Sequence, residues 1–294
     1  MIGGPTAVGK TGAAIRLALH FNTAIISADS RQCYRELNIG VARPSEEELS
    51  TVPHHFIASH SIHEPVTAAF FEDYALQKST ELFNEKDVIV MAGGTGLYLK
   101  AFAEGLDFIP EVPVDVRNEI IEQYKLNGLA WLQQEVKEKD PVFYESGEIL
   151  NPQRLMRALE VVRATGKSLL HFRTGIKKER EFRVIKLGLE LPKEKLHANI
   201  NSRVNKMIKE GLVEEARELR PFRVLNALNT VGYKELFEYF DELTTLEAAI
   251  DAIKNNTKQY AKRQLTWFKK DKTYQWLQAD EFDQSFLEKI SKSL

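Results

Sequence analysis

Gly4-Pro5-Thr6-Ala7-Val8-Gly9-Lys10-Thr11 matches the pattern G-x-x-x-x-G-K-[ST]. In such a loop, backbone N–H groups and a lysine surround a run of phosphates. The geometry works only if the loop joins a buried parallel strand to the N-terminus of a helix, where backbone donors and the helix dipole favour an anion. Gly12-Ala13-Ala14-Ile15-Arg16-Leu17-Ala18-Leu19 continues as a good helix, as the loop requires. Lys10 supplies a mobile positive charge, and the Thr11 hydroxyl is placed to ligate Mg²⁺. Loops of this kind serve ATP-binding and other nucleotide-binding proteins, so the first ligand is a phosphate or diphosphate. Hydrolysis, phosphoryl transfer and chemistry on another diphosphate all stay open. Only Met1 and Ile2 precede the glycines, so either the entering strand is very short or this chain starts late.

With 294 residues, 43% hydrophobic and 28% charged, the chain holds one large domain or two modest ones. Its net charge of −2 is unevenly spread. From Arg154 to Lys186 there are ten Lys/Arg against three Asp/Glu, and from Lys254 to Lys272 seven against one. Such basic stretches inside a neutral protein read as phosphate-tracking surfaces, the alternative being a solvated helix face. The single cysteine, Cys33, excludes an intramolecular disulfide and suits a reducing cytosol, where it would be a packing residue. No basic-then-apolar leader and no apolar run near ~18 residues is present, so neither export nor a membrane span is expected. His54 and His55 lack partners at zinc-ligand spacing and are expected to be structural.

Short apolar runs at Thr23–Ser27, Asp87–Ala92 and Arg183–Leu189 read as buried parallel strands separated by helical patterns. The expected fold is α/β, a P-loop NTPase-like parallel sheet flanked by helices, with ligands at the strands' carboxyl ends. Strand signals vanish between about Pro110 and Glu181, predicting an inserted all-helical domain over 110–181 and a catalytic core over 1–109 and 182–294. Asp29, in Ser27-Ala28-Asp29-Ser30-Arg31-Gln32, follows a strand beside the phosphate loop, where it could hold Mg²⁺ or accept a proton from a nucleophile. Gly93-Gly94-Thr95-Gly96-Leu97-Tyr98 opens another helix, and its backbone donors with the Thr95 hydroxyl could bind a second anion.

Together these segments resemble the tRNA dimethylallyltransferases, also called tRNA isopentenyltransferases, of the bacterial type. The likeness runs through nearly the whole chain, with further blocks at Asn38–Pro44, Pro53–His55, Asn151–Glu160, Val231–Glu235 and Tyr260–Phe268. The phosphate loop is shared with kinases and many NTPases, whereas Pro152-Gln153-Arg154-Leu155-Met156-Arg157-Ala158-Leu159-Glu160 and Ala261-Lys262-Arg263-Gln264-Leu265-Thr266-Trp267 are far more specific.

The resemblance implies transfer of the dimethylallyl group from dimethylallyl diphosphate to N6 of adenosine 37, beside the tRNA anticodon, with Mg²⁺ as cofactor. It implies catalytic roles for Asp29, Thr95, Lys10 and Arg203. The diphosphate falls to Gly4, Pro5, Thr6, Ala7, Val8, Gly9, Lys10, Thr11 and Arg203. Transfer-RNA contacts are implied for Asp29, Ser30, Arg31, Gln32, Thr95, Arg117, Gln153, Arg154, Leu155, Met156, Arg157, Asn229, Thr230, Val231, Gly232, Tyr233 and Lys234. Asn205 departs from the acidic residue such proteins carry two positions after the arginine. The helical insertion, with Arg154, Arg157, Arg163, Lys167 and Arg173, is expected to grip the anticodon stem-loop. Arg154, Arg157 and Gln153 should share one helix face, opposite Leu155, Leu159 and Val162. On the last long helix, Lys254, Lys258 and Lys262 recur every four residues as one positive stripe. A cytoplasmic enzyme acting as a monomer, with no zinc-finger tail, is expected. The competing readings are a small-molecule P-loop kinase and an adenylate isopentenyltransferase acting on free nucleotide, neither of which needs so large a basic insertion.

Overall fold

A computed structural model describes residues 1–147 and 149–292. The chain divides into two compact units, one of residues 1–104 with 180–294 and one of residues 105–179. Each is built around its own apolar core.

In the larger unit six parallel strands form a sheet of order β3-β2-β4-β1-β5-β6. These are β1 (Ile2–Gly3), β2 (Ile25–Ser27), β3 (His54–His55), β4 (Val90–Gly93), β5 (Leu187–Glu190) and β6 (Gln275–Gln278). The entering strand β1 is two residues long yet central, paired with β4 and β5. Apolar runs expected to pair from Asp87 and Arg183 enter the ladder only at Val90, opposite Ile25 of β2, and at Leu187, whose N–H reaches the Met1 carbonyl at 2.8 Å. Strands β3 and β6 lie at the two edges and were not anticipated. Four residues or fewer, they carry too little alternation to be read.

Helices cover both faces, as parallel strands demand. Helix α1 (Lys10–His20) buries Ala13, Ala14, Leu17 and Ala18. Helix α2 (Glu46–Thr51) begins at a Ser45/Glu48 capping box. Helix α3 (Ala68–Phe83) starts where the Thr67 hydroxyl accepts from the Phe70 N–H at 3.1 Å. Its Phe71 stacks on Tyr98 of α4 (Gly96–Glu104), with centroids 4.3 Å apart. Cys33 is fully buried in this core, and burial pushes its thiol up to about 12, so it packs rather than reacts.

The smaller unit is helical: α5 (Val114–Lys139), broken at Gly128, then α6 (Pro141–Ser146), α7 (Pro152–Thr165) and α8 (Leu169–Phe172). Buried Asp140 ties its turns together, accepting from the N–H groups of Phe143 at 3.0 Å and Leu169 at 3.2 Å. The chain then returns to the sheet and finishes the larger unit with α9 (Lys193–Lys209), α10 (Leu212–Leu219), α11 (Tyr233–Phe240), α12 (Leu246–Lys270) and α13 (Gln284–Ser291). No helix of the described residues is long and apolar enough to cross a membrane.

Candidate active site

Three chain segments leave the carboxyl ends of adjacent strands β1, β4 and β2 and line one cleft of about 1290 Å³ in the larger unit. From β1 comes the phosphate loop. Gly9 takes φ 102° to turn the backbone into α1, a conformation only glycine adopts without strain. Ala7 also has positive φ, 63°, at the loop's crest. Side chains from distant helices fasten that crest. Asn199 of α9 donates to the Ala7 carbonyl at 3.2 Å, Arg203 of α9 to the Thr6 hydroxyl at 3.2 Å, and the Thr6 N–H donates to Gln264 Oε1 of α12 at 2.8 Å.

Lys10 Nζ curls back onto the carbonyls of Gly4 at 3.0 Å and Pro5 at 2.7 Å. Burial pushes its pKa down to about 7, Asp29 working against that shift and Arg203 with it. The Arg203 pKa is lowered too, by burial, with Glu48 and Asp29 opposing. Two cations held in one desolvated corner call for an anion.

From β2 comes the Asp29 turn. Asp29 Oδ1 accepts from the N–H groups of Arg31 at 2.9 Å and Gln32 at 3.3 Å, which holds the carboxylate against its own turn and leaves Oδ2 for a substrate. From β4 come Gly93 and Gly94. A Cβ at Gly93 would overlap the Ala28 carbonyl and one at Gly94 the Gln264 amide, so both are glycines because backbone and side chain approach too closely for anything larger. Thr95 joins the β4 segment to the β2 segment: its N–H donates to the Ala28 carbonyl at 3.1 Å, and its hydroxyl accepts from the Ser30 N–H at 3.0 Å.

The remaining wall is built from loops. Arg31 donates to the carbonyls of Asn226 at 2.8 Å and Asn229 at 3.5 Å, and Gln32 to those of Val41 at 3.3 Å and Ala42 at 2.9 Å. Asn229, Thr230, Val231, Gly232 and Lys234 line the cleft. Tyr233 does not. It is fully buried, its hydroxyl donating to Glu215 at 2.6 Å, while the same carboxylate accepts from the N–H groups of Asn38, Ile39 and Gly40. The expected RNA contact at Tyr233 is thereby corrected to a support for the loop 38–44. Asn205 lies on the exposed side of α9 and is not part of the cleft wall, which takes Lys206, Met207 and Glu210 instead.

In the helical unit, Gln153 and Arg154 are exposed at the start of α7. Leu155 and Met156 are buried in its core, which corrects the expectation that they meet RNA: their side chains face α5 and α8 partners such as Ile120 and Leu169. Arg117 and Arg157 converge on the buried Glu160 carboxylate at 3.3 and 3.1 Å, and Arg163 pairs with Glu119 at 3.1 Å and Glu135 at 2.7 Å. The basic face is thus partly neutralised from within. A pattern of i, i+3 charges could have revealed Arg157–Glu160, but not the three pairs that join α7 to α5.

No site role was expected for Asn199 or Glu215, nor, although they stand in the Tyr260–Phe268 block, for Gln264 and the exposed Tyr260, Arg263 and Trp267 of α12. Only the last group had a signal, since basic and aromatic residues at helical spacing suit nucleic acid. Along the same helix Lys254 pairs with Asp251 at 3.3 Å, so the lysine stripe is partly compensated. His54 Nδ1 lies 2.8 Å from the Val52 carbonyl on edge strand β3. Among the described residues no cluster of three or more His, Cys, Asp or Glu could hold a metal by itself. A Mg²⁺ ion that takes a hydroxyl from the protein and its other ligands from phosphate and water needs no such cluster, and Thr11 beside the cleft fits that donor set.

A phosphate loop, a carboxylate turn and a glycine turn at adjoining strand ends define an α/β protein of P-loop-like fold. The family model described as IPP transferase matches residues 32–271. A tRNA dimethylallyltransferase of Christiangramia forsetii is 47% identical, over 99% of this chain and 96% of its own length. One from Cytophaga hutchinsonii is 46% identical over 95% and 91%. Among solved structures, the tRNA isopentenylpyrophosphate transferase of Bacillus halodurans is 34% identical, with a TM-score of 0.72 over 99% of this chain and 93% of that one. A eukaryotic dimethylallyltransferase acting on tRNA, 23% identical with a TM-score of 0.77, shares the fold. The chain belongs to the IPP transferase family, a family of transferase enzymes.

Proposed function

We propose that this protein transfers the dimethylallyl group of dimethylallyl diphosphate to N6 of adenosine 37 in tRNA, releasing diphosphate. The observation that carries the reading is the pairing, in one cleft, of a phosphate loop flanked by two desolvated cations with a carboxylate turn that Thr95 ties to the neighbouring β4 glycine turn. An exocyclic amine of adenine is a poor nucleophile, its lone pair delocalised into the ring, but it becomes acidic as the new C–N bond forms. Asp29 accepts that proton and orients the amine. On the other side the allylic C–O bond lengthens and negative charge grows on the diphosphate. The loop N–H groups, Lys10 and Arg203 stabilise it. Mg²⁺ held by the Thr11 hydroxyl adds positive charge to the same oxygens when bound.

The adenosine must leave its stack to reach this chemistry, which an anticodon loop permits. Residues 29–32 and 229–232 with Lys234 serve the flipped nucleotide and its neighbours, and Arg117, Gln153, Arg154 and Arg157 of the helical unit serve the anticodon stem-loop. The protein works as a cytoplasmic monomer in this reading. Incubation with labelled dimethylallyl diphosphate, Mg²⁺ and bulk tRNA, followed by nucleoside analysis, should yield labelled N6-dimethylallyladenosine. Phosphate transfer from ATP to a small acceptor, without that nucleoside, would make it a kinase, and labelling of free adenine nucleotide alone would make it an adenylate isopentenyltransferase.

The RNA side has its own test. Arg157 helps neutralise buried Glu160, so replacing it also disturbs the helical core, and the test is made at the exposed Arg154 at the start of α7. Arg154→Ala should weaken tRNA binding and reduce the magnitude of its log-affinity against log-salt slope by roughly 0.7 to 0.9, one phosphate contact's worth. Inorganic pyrophosphate affinity should not change. The reverse pattern, an unaltered salt slope with lost pyrophosphate binding, would assign the arginine to the donor.

A further inference from the structure

Resting on the function proposed above, we infer that Gln264 is a positioning residue: its amide spans the phosphate loop and the β4 glycine turn and sets the separation between the leaving-group site and the Asp29 side of the cleft. Gln264 Oε1 accepts from the Thr6 N–H at 2.8 Å, and Gln264 Nε2 donates to the Gly94 carbonyl at 2.9 Å. One partner is a donor and the other an acceptor, so the amide has a single orientation that satisfies both. The residue is only 6% exposed, and an amide at that depth left unpaired is costly.

What it spans gives the bridge its meaning. Thr6 is the residue whose hydroxyl Arg203 holds, so the amide and the guanidinium fasten the same residue from α12 and α9. On the other side, a Cβ at Gly94 would lie 3.8 Å from Lys10 Nζ, and the next residue, Thr95, binds the Ala28 carbonyl and the Ser30 N–H on either side of Asp29. A continuous path of hydrogen bonds therefore runs from the diphosphate loop through Gln264, Gly94 and Thr95 to the turn that carries the carboxylate. Strands β1 and β4 are paired only through Ile2–Ala92 and Gly3–Gly93, so beyond the sheet the two loops have no ladder between them. The Gln264 amide takes its place.

A group that aligns two reacting partners acts on turnover more than on binding of either one, and a misplacement of about 1 Å can cost about 10²-fold. Gln264→Met keeps the bulk and removes both bonds. Its single-turnover prenylation rate at saturating donor and tRNA should fall roughly 10- to 100-fold, with inorganic pyrophosphate affinity within about threefold of wild type. Gln264→Glu keeps the shape as well. Protonated, the introduced carboxyl accepts from Thr6 and donates to Gly94; ionised, it sets two acceptors against the Gly94 carbonyl. Lys10 on α1, Arg203 on α9 and Asp29 after β2 also bear charge in this region, so each rate is read as a ratio to wild type at the same pH.

That ratio should rise roughly tenfold or more for Gln264→Glu as pH is lowered through the carboxyl's titration, and stay flat for Gln264→Met. Thermal unfolding of both variants reports folding, and if Gln264→Met does not fold, the Gln264→Glu profile decides alone. Wild-type turnover in Gln264→Met, a loss lying wholly in pyrophosphate affinity, or a flat Gln264→Glu ratio each overturns the inference. A wild-type protein that does not prenylate tRNA sinks the functional reading, and this one with it. A wild-type protein that does, beside variants that match it, sinks this inference alone.

Discussion

Replacing Asp29 should slow prenyl transfer by roughly 10²- to 10⁴-fold, the scale of a lost general base, while tRNA affinity stays nearly unchanged. The turn explains why the effect belongs to the chemistry. Asp29 Oδ1 is occupied by the N–H groups of Arg31 and Gln32, and the turn is further secured by Thr95 and by the side chains of Arg31 and Gln32. Asp29→Asn keeps an oxygen for those two N–H groups and cannot take the proton from N6. Asp29→Ala loses both capacities. Comparable losses in the two variants, read in single-turnover assays beside filter binding of tRNA, identify proton transfer as the lost function. A much larger loss in Asp29→Ala would make the turn's shape the greater contribution, and prenylation at wild-type speed by Asp29→Asn would remove the base role altogether.

Lys10→Ala and Arg203→Ala should each lower the chemical step by roughly 10²- to 10³-fold, because both cations face the charge that develops on the departing diphosphate. Lys10 Nζ donates to two loop carbonyls, and burial, with Arg203 nearby, lowers its pKa to about 7. The sign of the pH dependence follows. Only the cation binds an anion, so Lys10's contribution to pyrophosphate affinity is full below pH about 7 and is lost as pH rises through that value, while binding itself draws a proton onto the amine. The ratio of wild-type to Lys10→Met affinity should therefore decline by up to about tenfold per pH unit above about 7, the ratio cancelling the ligand's own ionisation. Calorimetry in two buffers of different ionisation enthalpy should register the proton uptake. A ratio that is flat with pH would mean the ammonium stays charged in the empty site.

Much of this was legible along the chain because the information is local. The phosphate loop must curl the backbone over a few residues and then enter a helix, and Gly9, Lys10 and the helix formers behind them specify that without help from elsewhere. Asp29 and Gly93–Thr95 were legible for the same reason: they stand immediately after apolar strands, where such folds collect ligands. Strand ends were less so, since those of β4 and β5 are set by pairing with strands more than 50 residues away, as Val90 is by Ile25 and Leu187 by Ile2.

Burial within helices could be read only as periodicity, which separated Leu155 from Arg154 but gave no sign that a buried Glu160 would claim both Arg117 and Arg157. Tyr233 sits in a segment that reads as a contact strip, yet it is spent beneath Gly40, where a Cβ would strike its ring. The sequence by itself determined the parallel α/β frame and the residues at the strand ends, because each depends on neighbours within a turn or two. Only the tertiary structure decided which side chains hold those ends together. Gln264 lies 258 residues from Thr6 and 170 from Gly94, and no local pattern encodes a hydrogen bond whose partners meet only after the sheet and α12 have packed.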